Sequence, residues 1–243
     1  MRNLIKADIF RILRSKLLYA GLVTGIFYLI LKAALDIADR GMNATGFVAG
    51  VKGAVGSGIM TVLILFPIFL AVFSHELSAR SMQCILGHGL TRDKLIIAKL
   101  LDAAIVLTVF FVFITLALIW LYDPSYALSS RQSTNIFIFI WLRAFRIMGY
   151  LCFAAMVMYI TGSSSAGVIV CSAFAVFFPV SFKLIEMFSG ASIYDYTFDG
   201  LLDWAYTSIE TGSIGWQLFP AFLYVAAAVF VTVIFFRRKE FEF

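Results

Sequence analysis

The chain has 243 residues, of which 62% are hydrophobic and only 14% charged, and it carries a net charge of +5. A soluble globular domain is about 45–50% apolar and about 25% charged, so this composition excludes an ordinary soluble enzyme. It marks an integral membrane protein, in which the positive charge reports on topology and not on nucleic-acid binding.

Residues 1–16 read as an interfacial amphipathic helix. Ile5, Ile9, Ile12 and Leu13 recur on one face, and Asn3, Asp8, Arg11, Arg14 and Ser15 lie on the other. Its basic residues suit an anionic cytoplasmic leaflet and lipid contact. A signal peptide is the competing reading, but no small-residue cleavage site follows the apolar run.

Span one covers about 17–35 and contains Gly21 and Gly25. This small-xxx-small step permits close helix approach and suggests a dimer interface. Residues 36–58 read as a Gly-rich external loop. Gly53 to Gly58 lack the Lys-Ser/Thr of a phosphate loop, because Ile59 and Met60 stand there instead. Span two, about 59–74, contains Pro67, which is tolerated in membrane helices. Span three is about 100–122, span four about 136–160, span five about 166–187 and span six about 216–236.

Two stretches break this apolar pattern. The cytoplasmic loop 75–99 is basic, with Arg80, Arg92, Lys94 and Lys99, and its apolar positions include Leu86 and Leu90. Gly87 and Gly89 permit a turn between short amphipathic helices. Residues 188–215 hold Asp195, Asp199, Asp203 and Glu210 with no basic residue. They read as an extracellular loop resting at the interface, as a short helix or re-entrant element. The segments 1–16, 75–99 and 237–239 together hold twelve of the nineteen basic residues, which places both termini in the cytoplasm.

Catalytic patterns are missing. The chain has neither a Gly-x-Ser-x-Gly elbow nor a His-Glu-x-x-His zinc motif, so no catalytic residue and no enzyme activity is expected. Cys84, Cys152 and Cys171 are widely spaced, and His75 with His88 makes no ligand set, so no metal or cofactor is expected in this chain. Arg143 and Arg146 are the exception within the spans. Spaced i, i+3, they share a helix face, and charge inside a bilayer normally faces protein or a water-filled path. The alternatives are a substrate pathway attracting an anion, or pairing with an acid such as Glu186 or with backbone carbonyls.

Glu76 just after span two, Arg80-Ser81, Ile85-Leu86, Thr91-Arg92 and Lys99 opening span three form a pattern in the inner loop. With the six-span layout, it resembles the permease subunits of the type-2 ABC transporter family, the small six-span bacterial exporter permeases. Arg80 stands where that family has Gly. The resemblance implies an all-α membrane protein, a single permease domain over 1–243 in the plasma membrane, and a coupling loop that docks on a separate cytoplasmic ATPase. Glu76, Arg80, Leu86, Leu90 and Arg92 are then the ATPase-coupling residues. ATP and magnesium belong to that partner, and the permease works as a homodimer or with a related second permease. Export of an antimicrobial peptide or drug is the substrate class it suggests. The alternative function is a non-transport sensor or assembly subunit of a larger complex.

Overall fold

The computed structural model describes residues 2–41, 43–73, 91–122, 128–190 and 192–238, and these form helices and no strands. A short helix α1 (Arg2–Leu13) leads into α2 (Lys16–Arg40), a rod of about 37 Å at the usual helical rise. On α2, Leu18, Gly21, Gly25, Leu29, Ala33 and Ile37 are buried, while Tyr19, Val23, Phe27, Leu31 and Leu35 are exposed. One stripe faces protein and the other presents apolar surface outward, as a membrane helix at the edge of a bundle does.

The Gly-rich stretch after α2 is helical, which corrects the loop expected over 36–58. Helix α2 continues to Arg40, and α3 (Ala44–Gly56) folds back along it. Gly41 makes the turn at φ +94°, and Asn43 caps α3 by accepting from the N–H of Gly46 at 2.7 Å. The glycines recur at helical spacing, so their lack of side chains becomes a packing ridge. A Cβ at Gly50 would lie 2.9 Å from Ile37 Cγ1 and 3.1 Å from the Ala33 carbonyl. Helix-breaking composition is overridden by close packing.

Helix α4 (Gly58–Phe73) continues from α3 across a 44° bend. The Gly21 and Gly25 face, expected to meet a second chain, is instead filled within this chain. A Cβ at Gly21 would lie 2.3 Å from Pro67 Cγ, and Gly25 packs on Met60.

Helix α5 (Arg92–Leu121) starts eight residues before the expected span, so Lys99 and Asp102 are buried helical residues and not part of a loop. Helix α6 (Ser130–Thr161) opens with a capping box between Ser129 and Gln132 and ends at left-handed Gly162. Over half of its span, 56%, is buried, against 33% or less in the other long apolar helices, so α6 is the centre of the bundle.

The fifth expected span is α7 (Ser164–Ser172), a π-helical stretch (Ala173–Phe177) and α8 (Phe178–Ser189). Pro179 lacks the N–H that would bond back four residues, and the ladder slips into a π-turn just before it. A 3₁₀ turn (Tyr194–Tyr196) then leads to α9 (Phe198–Thr211), inside the region expected to be a loop with a short helix, and α10 (Leu218–Arg238) closes the fold. Five of these helices are long and apolar enough to cross a membrane, and α3–α4 makes a sixth if the bent pair is one span.

Candidate functional site

The site is built where α9 meets the middle of α6. Gly149 makes that approach possible, because a Cβ there would lie 2.3 Å from Cζ of Phe198. The Phe198 ring packs edge-on against Phe153 at 5.6 Å and fixes the start of α9 beside α6. One turn along, Asp199 and Asp203 are spaced i, i+4 on α9 and face Arg146.

Arg146 is only 7% exposed and Asp199 6%. The Nη2 of Arg146 donates to Asp203 Oδ1 at 2.5 Å and to the Asp199 carbonyl at 3.2 Å. Its Nε lies 3.5 Å from Asp199 Oδ1, an ion pair without a hydrogen bond. Tyr150 donates to Asp199 Oδ1, and Tyr194 donates to Asp203 Oδ2 at 2.6 Å. Two tyrosines and one arginine therefore close both carboxylates.

The carboxylates are not equivalent. Burial raises the pKa of Asp199, and the attraction of Arg146 and the hydrogen bond from Tyr150 do not fully offset it. Burial also works against the Asp203 carboxylate, but Arg146 and the Tyr194 hydroxyl outweigh it and hold its pKa below the ordinary value. Asp203 is the true ion-pair partner, and Asp199 is the costlier charge. Burial and the neighbouring Asp203 raise the Tyr194 pKa, which keeps it a donor.

The partners of Arg146 thus come from Asp199 and Asp203 on α9 and not from Glu186 on α8. A signal was present in the sequence: i, i+4 acids on an otherwise base-free segment complement i, i+3 bases on a span. Nothing in one chain's spacing matched those two segments to each other.

Arg143 behaves differently. It is mostly buried, its guanidinium stacks on the Phe139 ring at 5.0 Å, and it makes no hydrogen bond or ion pair with any described residue. It lies against Gly56, where a Cβ would come 3.2 Å from its Nη2.

Three further contacts hold α9 and its lead-in. Lys52 on α3 pairs with Glu210 at 2.7 Å, Arg131 donates to the Glu210 carbonyl at 2.8 Å, and Tyr224 donates to the Tyr196 carbonyl at 3.1 Å.

The residues expected to couple to an ATPase divide into two groups. Glu76, Arg80, Leu86 and Leu90 lie outside the described residues. Arg92 is described, and its Nη1 caps α10, donating to the carbonyls of Phe236 at 3.2 Å and Arg237 at 3.0 Å. Those contacts tie the half-buried Arg92 to the last turn of α10. Beside it, Arg237 donates from Nε to Asp93 at 2.7 Å.

At the same end, Lys99, 1% exposed, pairs with Asp8 of α1 at 2.9 Å. Asp8, expected on the solvated face of the interfacial helix, is therefore turned into the protein with Ile12. No group of three or more His, Cys, Asp or Glu residues placed to hold a metal ion occurs among the described residues. Compared with known proteins, the chain matches no family model, no curated protein and no solved structure.

Proposed function

We propose that this chain is the membrane-spanning permease subunit of an ATP-driven exporter of the type-2 ABC kind. It would form the substrate path while a separate cytoplasmic subunit hydrolyses ATP. In this reading six spans cross the plasma membrane with both termini inside, two permeases work together, and the cargo is an amphipathic peptide or drug.

The observation that carries the reading is mechanical. The segment containing Glu76, Arg80, Leu86 and Leu90 leads directly into α5, a single 30-residue helix. The first turns of α5 are tied to α1 through Lys99–Asp8 and to α10 through Arg92 and Asp93. A displacement at the inner loop would move three elements together, which is what a coupling segment needs.

A sensor or assembly subunit is the second reading. It is favoured by the closure of Arg146 with this chain's own carboxylates, as expected of a charge that serves only the bundle. Purification of the tagged chain in gentle detergent from its native membrane separates the two. The permease reading requires an ATPase to co-purify near one-to-one and to be lost in Leu86→Asp and Leu90→Asp. A chain that emerges alone, or with partners lacking a nucleotide site, refutes it.

A further inference from the structure

The two arginines of α6 are in different electrostatic states, and the difference falls at the break between α3 and α4. Arg146 is satisfied by Asp203, Asp199 and a carbonyl. Arg143, one turn away near the mid-length of the same 32-residue helix, has only the Phe139 ring. A guanidinium inside an apolar bundle is costly unless it is paired or reaches water.

Ser57 both ends α3 and begins α4. Its N–H and hydroxyl donate to the Ala54 carbonyl, and its Oγ accepts from Met60. The first N–H groups of α4, on Gly58 and Ile59, donate to no described residue, and both residues are exposed. The same break therefore gathers a guanidinium with no hydrogen-bonded anion among the described residues, a glycine whose missing side chain lets that guanidinium lie against the end of α3, and unused donors at the positive end of a helix.

We propose that Arg143 and the α3–α4 break form a binding site for the anionic head, carboxylate or phosphate, of an amphiphile. The guanidinium supplies the charge, Gly56 lets it reach the end of α3, and the N–H groups of Gly58 and Ile59 supply additional donors. Discontinuous helices commonly present their free backbone groups to a charged ligand in this way. Arg146 holds α9 in place and takes no part in recognition. The site rests on the reading of α6 as the wall of a transport path and assigns that path a ligand chemistry.

The test is equilibrium binding of radiolabelled dodecyl phosphate to the full chain, with any co-purifying partner, in phosphatidylcholine nanodiscs. Saturable binding is expected, undisturbed by dodecyltrimethylammonium and weakened about tenfold or more in Arg143→Gln, the scale of one charge-assisted contact. Arg237→Gln, whose residue pairs with Asp93 at the start of α5, is expected to bind as the parent does. Should Arg143→Gln not fold, Gly56→Ala provides the same test, because its Cβ crowds the guanidinium.

Equal binding by the parent and whichever of these variants folds overturns the site, as does displacement by the cationic amphiphile. Competition by inorganic phosphate, or by phosphatidylglycerol built into the disc, supports the site and identifies a free anion or a resident lipid as its source. Binding that resists both supports it with a mobile amphiphile as the ligand. No ATPase is needed for the measurement, so loss of the exporter reading and loss of the anion site are separate results.

Discussion

The middle of α6 and the junction of α1 with α5 each bury a basic residue, and they do it by opposite means. Arg146 meets two carboxylates supplied by a short helix that packs against the middle of α6, and these carboxylates also accept from Tyr150 on α6 and Tyr194 in the 3₁₀ turn. Lys99 meets Asp8, supplied by the short helix α1. The first is a multiply closed network in which each member depends on the others. The second centres on one carboxylate, Asp8, which pairs with Lys99 and with Arg11 of its own helix at 3.4 Å. Buried pairs contribute little net stability, but removing one partner leaves an unpaired charge, so the closed network should be the more sensitive to a single deletion.

That contrast is most directly broken by Arg146→Met, which leaves Asp199 and Asp203 facing an apolar side chain. A loss of about 3–5 kcal/mol is expected from thermal unfolding in detergent, with much of it recovered when Asp199→Asn and Asp203→Asn are added. If the single and triple variants unfold alike, the network is not what holds α9.

Lys99→Met should cost less, about 1–3 kcal/mol, because the Asp8 carboxylate keeps its pair with Arg11. Its more diagnostic readout is local: limited proteolysis within α1 should accelerate while the core of the bundle stays protected. Uniform acceleration throughout the chain would show that the junction is no separate unit.

Acid sharpens the comparison within the network. Because the Asp203 pKa is held below its ordinary 3.8, its stabilisation is present above 3.8 and is lost as pH falls through the lowered native value. Asp199 has the opposite sign: its raised pKa favours the folded state at low pH, and this contribution is lost as pH rises from 3.8 through the raised value. Unfolding measured against pH should therefore show a shallower acid loss in Asp203→Asn than in the parent, and a steeper one in Asp199→Asn. Parallel curves for the two variants would contradict the assignment of Asp203 as the ion-pair partner.

The smallest effect is expected at the outer tie. Lys52 and Glu210 are part-exposed, so Lys52→Gln should cost less than about 1 kcal/mol, and high salt should reduce the difference further.

Much of the fold was legible because burial in a bilayer leaves a strong linear signature. The apolar runs over 17–35, 100–122, 136–160 and 216–236 each coincide with a long helix to within two residues at the overhanging ends, since a membrane imposes a minimum length on any segment that crosses it. The glycine-rich stretch was misread because glycine weakens a helix in water and strengthens one that must pack closely on a neighbour. Whether Gly50 and Gly53 break or build depends on α2 being there to receive them.

Taken alone, the sequence determined that the chain is built from apolar helices, that basic residues collect at particular ends, and that Arg143 and Arg146 share a face. Each follows from local periodicity and the cost of placing charge in hydrocarbon. Only the tertiary structure decided that Asp199 and Asp203 serve Arg146, that Asp8 turns inward to Lys99, and that Gly21 receives Pro67 from its own chain. It alone separated Arg143 from Arg146, because pairing depends on which helix arrives at each turn of α6. That is a property of packing between segments distant in the chain, and periodicity within one segment carries no record of it.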